Sequence, residues 1–206
     1  MARKTKEEAL LTRQQIIDAA RTVFHQHGVS RSTLEQVATT AGLTRGAVYW
    51  HFKDKAELFQ AMRTDVLEPL RVRRDAILLS DSYADPLDAI EASLKEFFLV
   101  LDENPTVRQT LEIMVLRCEY ADQFAEVQTE AERPMEEFLD RMGKAYKKAA
   151  AYGSLREGLD PAALALDTWA FAKGLLHSLL SRGFEKKLKS KVGSMIAAHV
   201  ALRRAG

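Results

Sequence analysis

The sequence predicts an all-α protein of nine helices, with a small helix-turn-helix head at the amino end and a larger helical body behind it. Capping oxygens stand directly before prolines at Asp85-Pro86, Asn104-Pro105 and Asp160-Pro161, a pattern that marks helix starts. No segment alternates polar and apolar residues with a period of two, so we expect essentially no sheet. A chain of 206 residues can bury a substantial core.

The nine predicted helices follow one another with short connections. They span residues 6–27, 33–40, 45–51, 55–79, 86–103, 105–119, 122–152, 161–182 and 185–204. The fourth contains Pro69 and the seventh Pro134, and an internal proline removes a backbone donor and crowds the preceding turn. We expect a bend at Pro69 and a bend or a break at Pro134.

The second and third helices are predicted from the residues at their ends. Ser32 and Glu35 have the spacing of a capping box, which places the second helix start near Thr33. Gly42 can take the left-handed conformation that ends a helix, and Thr44 can cap the third helix. Two short helices joined by a glycine turn are the arrangement of a helix-turn-helix.

The charge distribution favours nucleic acid more than the net charge does. The whole chain carries a formal charge of +1. Residues 1–60 hold nine Lys/Arg against six Asp/Glu, and the remainder holds 21 against 23. The basic excess therefore lies with the helix-turn-helix, where it can meet phosphates.

The third helix carries residue types that read DNA. Residues at the start of a recognition helix reach base edges in the major groove, which here are Thr44 and Arg45. Arg45 suits a bidentate contact to guanine, with a phosphate contact as the alternative. Gly46 and Ala47 present little bulk, so the helix backbone can approach the groove, and the Ala47 methyl can meet a thymine methyl.

Two further residues are candidates for phosphate contacts, because each stands at the start of a helix where free amides also point outward. They are Thr33 and Lys55. Trp50 and Phe52 are interpreted as packing residues, since aromatics at helical spacing usually belong to a core.

The head resembles the TetR/AcrR family of one-component transcriptional repressors. The motifs that carry the resemblance are Thr12-Arg13-x-x-Ile16-x-x-Ala19-Ala20, the helix end from Phe24 to Gly28, and Tyr49-Trp50-His51-Phe52. Among its members the chain is similar to the regulators of multidrug (resistance-nodulation-division) efflux pumps, through residues 3–8, 44–52 and, more weakly, 117–120.

The resemblance implies a nine-helix TetR-like fold and a division of labour between residues 1–54, which bind DNA, and 55–206, which bind ligand and form the dimer. Tyr49 and His51 resemble the phosphate-contacting positions of the family. The implied partners are double-stranded operator DNA, a small hydrophobic inducer and a second copy of the chain.

The body is rich in aromatic and methionine side chains, and the resemblance implies a ligand pocket among them. The candidates are Phe97, Leu111, Met114, Val115, Cys118, Phe138, Met142, Trp169 and Lys173. Core packing is the alternative for each of them. Glu112 and Glu119 would suit cationic ligands and Lys173 anionic ones, so the charge of the ligand stays open.

Apolar residues of the eighth and ninth helices exceed what one small body should bury, which favours a homodimer through these helices. They are Leu164, Leu166, Phe171, Leu175, Leu176, Leu179 and Leu180, followed by Val192, Met195, Ile196, Val200 and Leu202. Gly174 with Ser178, and Gly193 with Ala197, would let the paired backbones approach closely.

Other classes of function find little support in the sequence. There is no G-x-S-x-G, Walker A, G-x-G-x-x-G or HExxH motif, so we predict neither an enzyme nor a metal site, and no cofactor. The single cysteine excludes an intramolecular disulfide. Without an 18-residue apolar run or a signal-peptide pattern, we expect a cytoplasmic protein that does not bind membranes.

The leading hypothesis is a homodimeric repressor that binds a palindromic operator, controls a multidrug efflux operon and is released by hydrophobic drugs. The alternatives are a repressor that senses a single metabolite of a catabolic or lipid operon, and a DNA-binding protein without a ligand.

Overall fold

The computed structural model describes the backbone of residues 5–119, 125–181 and 185–206, and the side chains of these residues apart from 125–134 and 185. This part of the chain is all-α, with one isolated antiparallel bridge between Leu155 and Arg204. Its ten helices are α1 Lys6–His27, α2 Leu34–Ala41, α3 Arg45–His51, α4 Lys55–Leu78, α5 Pro86–Glu103, α6 Pro105–Leu116, α7 Ala125–Tyr152, α8 Pro161–Leu180, α9 Glu185–Lys189 and α10 Val192–Ala201.

The prediction of a single ninth helix was wrong, because the segment forms two helices. Ser190 and Lys191 make a turn between α9 and α10, closed by a hydrogen bond from the Lys191 amide to the Leu188 carbonyl (2.7 Å). Lysines crowd this stretch, and serine competes for backbone hydrogen bonds, so a continuous helix is disfavoured. The predicted start of the seventh helix at residue 122 and the end of the eighth at 182 lie outside the described residues.

Neither internal proline interrupts its helix. α4 runs unbroken across Pro69, and α7 runs unbroken from Ala125 to Tyr152, so the predicted break at Pro134 does not occur. The expected bends stay predictions.

The capping box of α2 is one residue further along the chain than the sequence suggested. The Thr33 hydroxyl accepts a hydrogen bond from the Gln36 amide (3.2 Å), and the Gln36 side chain accepts one from the Thr33 amide (2.8 Å). Ser32 cannot cap because it is buried and its hydroxyl donates to the Gly28 carbonyl (2.6 Å). The box therefore uses Thr33 and Gln36 instead of Ser32 and Glu35.

The helices divide into two compact units. The head unit comprises Met1–Glu68 with Thr106–Gln128, and the body unit comprises Pro69–Pro105 with Thr129–Gly206. The predicted boundary after residue 54 separates the DNA-binding residues from those that bind ligand and form the dimer, whereas these two units are defined by packing. That boundary stays a prediction.

The head unit is built around an apolar core to which α1, α2, α3, α4 and α6 all contribute. Its central side chains include Ile17, Phe24, Val37, Val48, Phe52, Phe59 and Ile113, and the Phe24 and Phe59 rings meet edge to face at 6.1 Å. Because Val48 and Phe52 belong to this core, α3 is held with its opposite face outward.

Buried polar contacts also join the helices that form this core. Arg21 of α1 donates to Thr110 of α6 (3.0 Å) and pairs with Asp18 (2.7 Å) and with Asp65 of α4 (3.2 Å). The same guanidinium therefore joins α1, α4 and α6. Nearby, His25 lies 2.8 Å from Glu112 of α6 and adds a second contact between α1 and α6.

The body unit buries its own apolar core and a polar chain within it. The Tyr146 hydroxyl of α7 lies 2.8 Å from the Thr168 hydroxyl of α8, which in turn lies 3.3 Å from Nε2 of His199 on α10. The His199 ring stacks on Phe171 with centroids 4.0 Å apart. Arg203 donates to the His199 carbonyl and pairs with Asp167.

This environment disfavours the protonated form of His199. Burial, reinforced by the Arg203 cation and opposed by Asp167, lowers the pKa of His199 to about 4. The unfolded chain, with a histidine pKa of about 6.5, therefore binds the proton more readily than the folded chain between about pH 6.5 and 4. The contribution of His199 to stability is full above about pH 6.5 and falls as the pH drops through this window.

We predict that the free energy of unfolding falls by about 1–2 kcal/mol between about pH 7 and 4.5 through His199, less than the full pKa shift would give because water screens this partly exposed ring. Urea denaturation followed by circular dichroism at several pH values measures this. His199→Gln, which cannot titrate, should flatten the pH dependence, whereas His177→Gln, which changes an exposed histidine of α8, should not. An identical pH profile for His199→Gln and the parent protein contradicts the prediction.

Candidate nucleic-acid interface

The turn between α2 and α3 is fixed by one glycine and one threonine. Gly42 takes a left-handed conformation (φ 65°, ψ 29°), and its amide bonds back to carbonyls of α2. Thr44 then caps α3, with its hydroxyl accepting from the Ala47 amide (3.2 Å). Both the left-handed Gly42 and the Thr44 cap are confirmed as the sequence predicted.

α3 presents a polar and aromatic face outward. Val48 and Phe52 are buried, which confirms the interpretation of Phe52 as a packing residue. The exposed residues around them are Thr44, Arg45, Gly46, Tyr49 and Trp50, while Ala47 and His51 are partly exposed. Thr33, at the start of α2, is also exposed. Seven of the eight predicted DNA-binding residues are thus fully or partly exposed on α3 or at the N-caps of α2 and α3, and Lys55 follows on α4.

The interpretation of Trp50 as a packing residue was wrong. Its side chain is 72% exposed, and its ring lies edge to face with the neighbouring His51 ring, with the ring centroids 4.5 Å apart. Within the seven residues of α3 only Val48 is buried, and Phe52, which caps the helix, is the next side chain to enter the core. Trp50 therefore belongs to the outward face.

Arg45 is held by two neighbours on this face. One guanidinium nitrogen pairs with Glu35 of α2 (2.9 Å), and the other donates to the Tyr49 hydroxyl (3.4 Å) with Cζ 5.2 Å from the ring centre. The bond to Tyr49 and the charge of Glu35 raise the pKa of Arg45 above its ordinary value. The sequence did not predict Glu35 as a partner of Arg45, because only the crossing of α2 and α3 brings the two side chains together.

Lys55 has a structural contact that the sequence did not reveal. Its ammonium donates to the carbonyls of Ser30 and Ser32, each at 2.9 Å, and burial lowers its pKa. It thereby ties the start of α4 to the loop before α2. A phosphate at this place would share the ammonium with these two carbonyls.

Residues 16–62 match the sequence model of "Bacterial regulatory proteins, tetR family". The chain is also 36% identical over 183 residues to the HTH-type transcriptional regulator TtgR of Pseudomonas putida, covering 87% of this chain and 85% of TtgR. The chain belongs to the TetR family. It is therefore a member of a family of transcriptional regulators, not of enzymes.

Two solved TetR-family structures extend the similarity over the whole fold. NalD, the secondary repressor of the MexAB-OprM multidrug efflux pump in Pseudomonas aeruginosa, superposes with a TM-score of 0.84 at 28% identity, covering 97% of this chain and 98% of NalD. SmeT in complex with triclosan gives a TM-score of 0.78 at 34% identity, covering 91% and 90%. SmeT represses the multidrug efflux pump SmeDEF of Stenotrophomonas maltophilia. The chain is thus homologous to efflux-pump repressors.

The nine predicted ligand residues are divided between the two units. Leu111, Met114, Val115 and Cys118 lie on or just after α6 in the head unit, where Met114 and Cys118 pack against the head core. Phe97, Phe138, Met142, Trp169 and Lys173 lie in the body unit. There Phe138 and Trp169 meet with ring centres 5.2 Å apart, and Lys173 is exposed.

The carboxylates considered for a cationic ligand have other surroundings. Glu112 pairs with His25 (2.8 Å) and with Arg108 (3.2 Å) inside the head unit, and Glu119 is exposed.

In the described part of the chain no helix is both long and apolar enough to cross a bilayer.

Arg45→Ala should reduce discrimination between a palindromic duplex selected from a random pool and a scrambled duplex by about 5- to 150-fold per half-site, because a bidentate contact to guanine is lost. Fluorescence anisotropy with both duplexes measures the ratio of their dissociation constants. Lys53→Ala, the matched control, removes an exposed cation beyond α3 and should weaken both duplexes equally. Equal losses for Arg45→Ala would assign Arg45 to a phosphate.

Proposed function

We propose that this protein is a homodimeric repressor that binds a palindromic operator, controls a multidrug efflux operon and leaves the DNA when a hydrophobic drug binds. The observation that carries the proposal is the extent of the similarity to efflux-pump repressors. It reaches beyond the helix-turn-helix and includes the body, since NalD and SmeT each match more than nine-tenths of the chain. Like other operator-binding proteins, it would act in the cytoplasm.

Operator binding would exchange surface contacts of Arg45 for contacts with a base. The ion pair with Glu35 is exposed on both sides, so water screens it and it can open at little cost. Glu35 also places a negative charge beside the recognition helix, where it would repel misplaced phosphates. Tyr49, Trp50 and His51 would flank the backbone on one side of α3, and Thr33 on the other.

A dimer through α8 and α10 is supported by what remains exposed on these helices. Six of the apolar residues first assigned to the interface are buried within the single chain, namely Leu164, Leu175, Leu179, Leu180, Ile196 and Val200. Leu166 and Leu202 stay exposed. A Cβ added at Gly174 or Gly193 would meet no described atom within 4 Å, so another backbone can approach there.

Sedimentation at micromolar concentration should give about 46 kDa, twice the 23.2 kDa of one chain. Gly174→Arg should shift the protein toward the monomer, because a long charged side chain would stand between the paired α8 helices. Leu99→Arg, which changes an exposed apolar residue of α5, should leave the dimer intact. A Gly174→Arg protein that keeps the dimer mass excludes α8 from the interface.

Release by ligand would act through α4, which runs unbroken from Lys55 in the head unit to Leu78 in the body unit. A ligand that displaces the far end of α4 would change the distance between the two recognition helices of the dimer. That distance must match about one helical turn of DNA (roughly 34–36 Å) or a multiple of it. A difference of about 1–3 kcal/mol in ligand affinity between the two states shifts operator affinity about 5- to 150-fold.

Hydrophobic aromatic drugs, with triclosan as the first probe, should quench Trp169 emission and release operator DNA over the same concentration range. The chain has two tryptophans, Trp50 and Trp169, so each single substitution leaves one reporter. The quench should persist in Trp50→Phe and disappear in Trp169→Phe.

Operator DNA should in turn weaken ligand binding by the same factor, because coupling between two binding sites is reciprocal. If no compound of a broad panel both quenches and releases, the drug-sensing role is wrong. A single metabolite that does both would instead support the catabolic or lipid-operon alternative.

A further inference from the structure

The guanidinium of Arg74 lies against two aromatic rings. Arg74 lies near the carboxyl end of α4, in the body unit, and its side chain is only partly exposed. The guanidinium carbon is 5.7 Å from the centre of the Phe97 ring on α5 and 5.4 Å from that of Phe138 on α7. Both distances fall within the range of cation–π contacts.

The aromatic cluster continues from Arg74 into α8. Phe138 contacts Trp169 with ring centres 5.2 Å apart and planes inclined at 53°. Phe138 is buried, whereas Phe97 and Trp169 are partly exposed. We define Arg74, Phe97, Phe138 and Trp169 as the anchor cluster, in which Arg74, Phe97 and Trp169 keep part of their surface exposed.

The carboxylates around Arg74 are already paired with other arginines. Asp75 pairs with both Arg71 (3.1 Å) and Arg141 (3.3 Å). Arg141 also pairs with Glu137 (3.3 Å), and Arg73 pairs with Glu96. Among the described side chains of this region, Arg71, Arg73 and Arg141 each form an ion pair, and none is described for Arg74.

The guanidinium of Arg74 makes no hydrogen bond to any residue that the structure describes. Arginine has five N–H donors in a planar fork that matches the oxygens of a carboxylate. Burial lowers the pKa of Arg74, the Asp75 charge acts in the opposite direction, and Arg141 and Arg71 lower it further. An anion at this place would accept hydrogen bonds from this fork and offset the positive charges of Arg74, Arg141 and Arg71.

We propose that the anchor cluster is a ligand subsite that selects aromatic anions, with Arg74 donating to the carboxylate or phenolate oxygen and the partly exposed Phe97 and Trp169 contacting the ring. This inference rests on the proposed drug-sensing function and gives the ligand the charge that the sequence left open. Charge-assisted hydrogen bonds are stronger in such apolar surroundings than in water. Because Arg74 is part of α4, a ligand held here touches the helix proposed to carry the response.

The test uses three probes of the same shape, namely 2-naphthoate, neutral 2-naphthamide and cationic 2-naphthylmethylammonium. Their affinities are measured by quenching of Trp169 in the full-length Trp50→Phe protein, confirmed by calorimetry. We expect 2-naphthoate to bind about 10- to 100-fold more tightly than 2-naphthamide, and the cation to bind most weakly. Equal affinities for the anionic and neutral probes overturn the inference without any substitution at Arg74.

Three variants test whether Arg74 gives the preference for 2-naphthoate over 2-naphthamide. Arg74→Met, which keeps much of the side-chain volume, should lose the preference for 2-naphthoate and retain binding of 2-naphthamide. Arg74→Lys should keep part of the preference because the charge remains while the planar fork is lost. Arg73→Met removes the same charge from the neighbouring exposed position and should keep the full preference. A full preference in Arg74→Met assigns selection to the general positive field instead.

A separate measurement of operator release distinguishes the two proposals. Selective binding of 2-naphthoate without release of DNA would leave the subsite in place and contradict the drug-sensing role. Release of DNA by neutral and anionic probes at equal concentrations would support that role and overturn the anion subsite.

Discussion

The head depends on one buried guanidinium. Arg21 meets Asp18 within α1, Asp65 on α4 and Thr110 on α6, so three helices share one positive charge. A buried cation that loses its partners costs several kcal/mol, which means that α4 and α6 cannot move away from α1 independently. The recognition helix is held by the same helices, because Val48 and Phe52 belong to the apolar core to which α1, α4 and α6 contribute.

Three arginines show how surroundings decide what the same side chain does. Arg21 is buried with anionic and hydroxyl partners, and it holds helices together. Arg45 is paired on the surface, where contacts open easily and DNA can replace them. Arg74 lies against aromatic rings, where its charge is least compensated and most able to attract an anion. Charge alone distinguishes none of these roles, whereas burial and partner type distinguish all of them.

Helix order and most helix ends could be predicted because they depend on local rules, such as the caps at Thr44 and Asp160. The errors arose where local rules leave a choice. By residue type Ser32 and Thr33 are equally good caps, and only the burial of Ser32 decides between them. Trp50 has the spacing of a core residue, but α3 is too short to bury it. Contacts such as that between Arg74 and Phe138 join distant parts of the chain, and no local pattern encodes them.

The head unit is not a continuous piece of chain. Residues 69–105 intervene before α6 supplies Thr110 and Ile113 to the core formed by α1 to α4. During synthesis the helix-turn-helix emerges first, yet it must wait for α6 before Arg21 is fully paired and the core is closed. Such non-local contacts slow folding and leave apolar surface exposed in the meantime. A fragment cut after α4 would remain in that unfinished state, so the boundaries of the sequence motif are a poor guide to where this protein can be divided.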